Sequence, residues 1–137
     1  AKLPPMQFRY TILYVEDVRE SLTFFEKAFG FKPLFVHPEG DYGELDTGAT
    51  KLAFSSHKLM SQLGKNPAAA RADAPCFELA FETEDVAAAY ARAVEAGAEP
   101  QQEPAEMPWG QTVSYVTKYG FLIEVCSPVS VANAEAE

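Results

Sequence analysis

The chain has 137 residues and carries 11 basic against 20 acidic side chains, which gives a net charge of −9 at pH 7. This length corresponds to one domain, and an apolar content of 47% is enough for a packed core. The acidic balance, without any cluster of Lys and Arg, argues against nucleic acid as a partner, because a phosphate backbone requires such clusters. No apolar run approaches the roughly 20 residues that span a bilayer, so no membrane partner is expected.

The first half of the chain predicts a strand, a helix and three further strands. Residues 10–18 read Y-T-I-L-Y-V-E-D-V, an apolar strand that leads into a helix. Asp17 is a good N-cap with Glu20 three positions on, and Gly30 favours the left-handed conformation that ends a helix. Short strands are predicted at residues 32–37, 42–46 and 50–55.

The second half repeats this order. Residues 78–86 read E-L-A-F-E-T-E-D-V, and a helix is again predicted from Asp85 to a stop at Gly97. Strands are predicted at residues 99–103, 111–117 and 121–126. The sequence therefore predicts an α+β fold of two tandem βαβββ modules in one domain. Its parts are module one at 8–55, a connector at 56–75 with one short helix, module two at 76–128 and a disordered tail at 129–137.

Alternation along the strands assigns one face of each module to its helix and leaves a second, more polar face. In module one this face is predicted to carry Tyr10, Ile12, Tyr14, Lys51 and Ala53. In module two it is predicted to carry the carboxylates of Glu78 and Glu124, on strands that can lie side by side. Such a mixture suits a hydrated site for a small molecule. The alternative is a sheet face that is merely exposed to solvent.

The two E-D-V–helix–Gly segments and the closing G-F-L-I-E-V at residues 120–125 resemble the vicinal oxygen chelate superfamily. That group includes glyoxalase I, extradiol dioxygenases and bleomycin-resistance proteins. The resemblance covers about residues 8–128 and implies a cup-shaped mixed sheet that binds a small molecule. It also implies a homodimer, with cups closed within one chain or formed by modules exchanged between two chains.

The resemblance further implies four metal-ligand positions, which fall here on Tyr10, Ala53, Glu78 and Glu124. Glu124 matches the family's usual Glu, whereas Ala53 has no donor atom. A catalytic divalent ion normally has at least three protein ligands, so no cofactor is expected, and a divalent metal would have to be held by Glu78 and Glu124. Without a metal the two carboxylates repel, and one of them should have a raised pKa.

The resemblance, together with the incomplete ligand set, implies a small-molecule-binding protein of the glyoxalase/bleomycin-resistance type, without a full metal site, that binds a drug or metabolite. The alternative is a metal-dependent lyase, isomerase or dioxygenase of the same superfamily, with Glu78 and Glu124 as catalytic residues. The segment P-W-G at residues 108–110 resembles part of the ligand groove of bleomycin-resistance proteins. Trp109 is therefore predicted to stack on the ligand or on a cation, the alternative being a Trp packed at the dimer or sheet edge.

The two cysteines are predicted to be free. They form no CxxC or zinc pattern, and two lone thiols without a secretion signal favour a cytoplasmic location. If the first and last strands of module two run parallel with Glu78 beside Glu124, Cys76 and Cys126 lie roughly 13 Å apart along the strands. That distance exceeds the reach of a disulfide.

Overall fold

A computed structural model describes residues 3–129, so the predicted disordered tail lies outside the described residues except for Val129. The chain forms eight strands and three helices over this range, with the predicted βαβββ order in both modules. The elements in chain order are β1 (Tyr10–Val15), α1 (Val18–Phe29), β2 (Lys32–Val36), β3 (Tyr42–Asp46), β4 (Lys51–Ser56), α2 (His57–Gln62), β5 (Glu78–Glu82), α3 (Val86–Glu95), β6 (Glu99–Glu106), β7 (Thr112–Lys118) and β8 (Phe121–Cys126).

Each module has its own mixed sheet of four strands. The order is β1-β4-β3-β2 in module one and β5-β8-β7-β6 in module two, so equivalent strands occupy equivalent places. In both sheets the first and last strands of the module pair in parallel, and the remaining neighbours pair antiparallel. The predicted α+β class and the internal repeat are thereby confirmed.

The helix boundaries follow the capping residues that the sequence indicates. Asp17 accepts a hydrogen bond from the backbone N–H of Glu20 at 3.0 Å, and Asp85 accepts one from Ala88 at 3.1 Å. These side chains satisfy N–H groups that have no partner within the helix. Gly30 ends α1 in the left-handed region, with φ 79°. The short connector helix α2 begins after Ser56, whose hydroxyl caps it by accepting from Leu59 at 3.0 Å.

The apolar faces of β1, β4 and β8 are buried as predicted, whereas the predicted inner face of β5 is only half-buried. In module one Leu13, Val15 and Phe54 are buried, and the Phe54 ring lies 5.1 Å from that of Phe25 on α1. In module two Ile123 and Val125 are buried on the same side of β8. Burial of such side chains is the main source of folding free energy, so the opposite faces of the two sheets are left for polar groups.

The strand β6 is longer than predicted, because it continues through Pro104 to Glu106. Proline cannot donate a hydrogen bond to a neighbouring strand. The strand lies at the edge of its sheet, where one side of the backbone needs no partner, and its register with β7 shifts on either side of Gln102. Between residues 3 and 129 no helix is long and apolar enough to cross a membrane.

The predicted alignment of Glu78 with Glu124 is wrong by two residues. The strands β5 and β8 are parallel, but Glu78 pairs with Leu122, and Ala80 pairs with Glu124. A slip of two residues keeps both carboxylates on the same face, since side chains alternate with a period of two. It also moves Cys76 further from the level of Cys126, to about 20 Å along the strands. Both cysteines are free, as predicted.

Candidate functional site

The predicted site residues of module one lie together on the polar face of its sheet. The parallel pairing of β1 and β4 sets Tyr10 beside Lys51 and Ile12 beside Ala53. The Lys51 ammonium lies 5.7 Å from the centre of the Tyr10 ring, a cation–π distance. Tyr14 follows on the same face, with the Lys65 ammonium 5.9 Å from its ring. Cations of the chain itself therefore already lie over two of the three predicted residues of β1.

Glu44 is a carboxylate of this face that the sequence analysis missed. It lies on β3 directly beside Ala53 and is only 7% exposed. Its carboxylate accepts a hydrogen bond from the Tyr42 hydroxyl at 2.7 Å and lies 3.7 Å from the Lys51 ammonium. Burial, followed by the hydrogen bond and the charge of Glu44, raises the pKa of Tyr42 well above its usual range. The face of module one thus carries a carboxylate whose charge is balanced by Lys51.

The polar face of module two contains Glu78 and Glu124, as predicted. Partial loss of hydration, the negative charge of Glu124 and a hydrogen bond to it raise the pKa of Glu78, in that order of size. The predicted raised pKa of one carboxylate is thereby confirmed. The raised pKa means that the neutral form of Glu78 is favoured over its charged form beside Glu124.

Tyr115, which the sequence analysis also missed, fixes the position of Glu124. Its hydroxyl donates to Glu124 Oε1 at 2.7 Å from the neighbouring strand β7. This hydrogen bond, followed by burial, raises the pKa of Tyr115 well above its usual range, so the phenol remains a donor. Cys126 lies two residues beyond Glu124, and burial together with the nearby carboxylate raises the pKa of its thiol to about 12. Glu124 is therefore held by neutral donors.

Trp109 lies in the turn between β6 and β7 and is 44% exposed. Its indole N–H donates to Gln111 Oε1 at 2.7 Å, and the Gln111 amide donates to the backbone carbonyl of Ser127 at 2.9 Å. Gln111 thus anchors the Trp109 ring to the end of β8 that lies beyond Cys126. The ring retains exposed surface on which a flat ligand could stack.

A divalent metal, which the superfamily resemblance implies, does not fit the residues present. Ala53 offers no donor atom, and the Lys51 ammonium lies over the Tyr10 ring at another of the four positions. Of those four positions, only Glu78 and Glu124 provide carboxylate oxygens, and Glu124 already accepts a hydrogen bond from Tyr115. No group of three or more His, Cys, Asp and Glu side chains that could hold a metal ion occurs in the described part of the chain.

A sequence signal for the two missed residues does exist. Tyr42, Glu44 and Asp46 alternate with Gly43 and Leu45, so strand parity alone sets Glu44 apart from the buried Leu45. Tyr115 likewise alternates with the buried Ser114 and Val116. Applying the alternation to the middle strands, and not only to the first and last strand of each module, would have found both residues.

Two tandem βαβββ modules with a mixed sheet in each define the glyoxalase-like class of fold. A model of the glyoxalase/bleomycin resistance protein/dioxygenase superfamily matches residues 7–125, and the chain belongs to this superfamily. No curated protein matches the chain significantly.

Several solved structures resemble the chain over most of its length. A glyoxalase-related enzyme from Fulvimarina pelagi has a TM-score of 0.78 and 20% identity, covering 93% of this chain and 94% of that one. A glyoxalase/bleomycin resistance protein/dioxygenase family enzyme from Burkholderia phytofirmans PsJN has a TM-score of 0.73 and 18% identity, with 86% and 95% covered. TioX from Micromonospora sp. ML1 has a TM-score of 0.69 and 22% identity, with 89% and 98% covered. At these identities the likeness concerns the fold.

Proposed function

We propose that this protein binds a cationic small molecule, a drug or a metabolite, on the polar face of module two and does so without a metal. The observation that carries the proposal is the placement of Glu78 and Glu124 on one face of two paired strands, where the charge of Glu124 contributes to raising the pKa of Glu78. Two carboxylates that repel each other are stabilised by any cation that comes between them, so binding energy is available at this place. The net charge of −9 additionally attracts cations toward the protein.

The surroundings of the two carboxylates support a binding site. Tyr115 holds Glu124 in one position, which lowers the entropic cost of ordering the site when a ligand binds. The exposed ring of Trp109 offers a flat surface for stacking at the end of β8. In module one the corresponding charge of Glu44 is already balanced by Lys51, so Tyr10, Ile12, Tyr14, Lys51 and Ala53 are expected to contribute less to cation binding.

A titration of the full chain with a panel of organic ammonium compounds, followed by calorimetry and by Trp109 fluorescence, tests the proposal. Glu78→Gln and Glu124→Gln should each weaken binding at least tenfold. Glu44→Gln is the matched control, since it removes a carboxylate that is also hydrogen-bonded to a tyrosine, but in module one. Equal losses in all three variants, or saturable binding in none of the proteins, would contradict the proposal.

A lyase or isomerase is the second candidate, because a hydrogen-bonded carboxylate pair with a raised pKa could also act as acid and base. Turnover of a substrate that is abolished by both Glu78→Gln and Glu124→Gln would favour this candidate. Elemental analysis of protein purified without a chelator should find substoichiometric divalent metal, whether the protein only binds its ligand or also catalyses a reaction. We further propose a cytoplasmic homodimer, for which a monomer mass by light scattering is the contradicting result.

A further inference from the structure

Module two contains a cavity of about 180 Å³ at the end of its sheet opposite to Trp109. It lies between the segment that immediately precedes β5, the turn that joins β7 to β8 and the first residues of β8. Its walls are mainly apolar and include Ala70, Ala74, Pro75, Phe77, Phe121 and Leu122. For comparison, an apolar protein cavity of about 150 Å³ is large enough to take up benzene.

The cavity is formed by a close approach of the connector to the β7–β8 turn. Gly120 has φ 82°, and a Cβ at this position would overlap the carbonyl group of Ala70. At the rim, Arg71 makes two hydrogen bonds to Asp73, at 3.1 and 2.8 Å, so its charge is balanced there. The rings of Phe77 and Phe121 pack edge to face with centres 6.1 Å apart. The apolar wall is therefore built by residues that already hold one another in place.

One residue that lines the cavity, Leu122, lies directly beside a carboxylate of the proposed site. Leu122 lines the cavity and pairs with Glu78, while Cys76, which also lines it, lies two residues before Glu78 in the chain. Glu124 lies two residues beyond Leu122, which corresponds to about 7 Å along the strand. A ligand with its cationic group at Glu78 and Glu124 would thus reach the cavity with a spacer of two or three atoms.

We infer that the ligand is an arylalkylamine or a similar ammonium compound, of which one ring or branched alkyl group enters this cavity. The inference rests on the proposed function, which supplies the position of the cation. It adds the cavity as the subsite that selects for an apolar group of about the size of one ring. Burial of such a group adds to the affinity that the two carboxylates supply, because removal of apolar surface from water is favourable.

Two readouts test the inference with 2-phenylethylammonium, ethylammonium and the neutral 2-phenylethanol as probes. Calorimetry should show that 2-phenylethylammonium binds at least tenfold more tightly than ethylammonium. Both ring compounds should slow the alkylation of Cys76 by iodoacetamide at least threefold, since this exposed thiol lines the cavity. Ala74→Leu narrows the cavity from its rim and should remove the advantage of the ring. Ala72→Leu is the matched control in the same connector, outside this cavity, and should preserve the advantage.

The outcomes separate the two proposals. If neither ring compound protects Cys76, or if Ala74→Leu leaves the affinity ratio unchanged, the cavity is not the subsite and the inference is overturned, while binding of ethylammonium would still uphold the proposed function. If 2-phenylethanol protects Cys76 at the same concentration as 2-phenylethylammonium does, the cavity takes the ring, but the cation site fails. An arylalkylamine as ligand is then overturned together with the proposed function.

Discussion

Module one and module two share their strand order, yet they place the same pair of side chains differently. Each polar face has a tyrosine that donates a 2.7 Å hydrogen bond to a glutamate. In module one both residues lie on β3, as Tyr42 and Glu44, and Ala53 occupies the neighbouring position on β4. In module two the glutamate has the β8 position, as Glu124, and Tyr115 faces it from β7. The repeat therefore conserves a chemical pair without conserving its positions.

The charges around the two pairs differ, and this difference assigns their roles. Glu44 lies near Lys51, so the pair in module one is close to neutral and serves mainly to satisfy a buried carboxylate. Glu124 lies near Glu78, whose pKa is raised by loss of hydration and by that second negative charge. The same fold thus yields one face that is internally neutralised and one that gains from a cation. Four measurements test this difference between the modules.

The largest effect is expected at the turn between the last two strands of each module. Gly120→Ala should destabilise the protein by about 3 kcal/mol or more, because the new side chain meets the Ala70 carbonyl and the backbone is left-handed. Gly48→Ala is the matched control in module one. There φ is 105°, but a Cβ added at Gly48 would meet no neighbouring atom within 4 Å. Only the backbone cost of about 1–2 kcal/mol therefore applies. Equal losses of unfolding free energy in urea would show that the connector does not close against module two.

The second effect concerns the buried carboxylate of module one. Glu44→Gln should lower the free energy of unfolding at pH 7 by about 1 kcal/mol. The neutral amide is not attracted to the Lys51 ammonium, and its oxygen accepts a weaker hydrogen bond from the Tyr42 hydroxyl than a carboxylate does. Tyr42→Phe controls for the hydrogen bond, since it leaves the charge of Glu44 in place. A stabilised Glu44→Gln variant in chemical denaturation would mean that the two modules do not differ in charge balance.

More of the fold than of the candidate site could be predicted from the sequence. The caps at Asp17 and Asp85, the stop at Gly30 and the alternation in β8 are local signals, and each depends on neighbours along the chain. The register of β5 against β8 is not a local signal, because a parallel pair is joined by a long crossover that does not fix the alignment of its strands. The two-residue slip that separated Glu78 from its expected partner therefore could not be read from either strand alone.

The partners of the site residues share this dependence on register. That Tyr115 reaches Glu124, and that Glu44 lies beside Ala53, follows only once β7 is paired with β8 and β3 with β4. Strand parity assigns each residue to a face, but the hydrogen-bond partner on that face is set by tertiary pairing. The cavity beside Gly120 depends on where the connector runs, for which the sequence carried no comparable signal.

A smaller effect, of opposite sign, is expected for Glu78→Gln. The pKa of Glu78 is higher in the folded than in the unfolded state, so its contribution to stability is fully present below the unfolded pKa of about 4.3 and is lost as the pH rises through the folded value. At pH 7 the variant should therefore be slightly more stable than the wild type, by less than about 1 kcal/mol because Glu78 is exposed. Urea titrations between pH 4 and pH 7 should show a flatter profile for the variant, and parallel profiles would contradict the coupling to Glu124.

The smallest change in stability is expected at the two thiols, which differ instead in reactivity. Cys76 is exposed, whereas Cys126 is buried with a pKa of about 12, so almost none of its thiolate forms at neutral pH. An aromatic disulfide reagent should modify one thiol rapidly in the native protein and the second only after unfolding, and Cys76→Ser should abolish the rapid phase.

In module one the place of Cys126 is taken by the buried Ser55, since Tyr14 pairs with Ser55 as Glu82 pairs with Cys126. Cys126→Ser should accordingly be tolerated with a loss of about 1 kcal/mol or less. Two equally fast thiols in the native protein would show that the face of module two around Glu124 is open to solvent, and the neutral donors that hold Glu124 would then not be shielded from water.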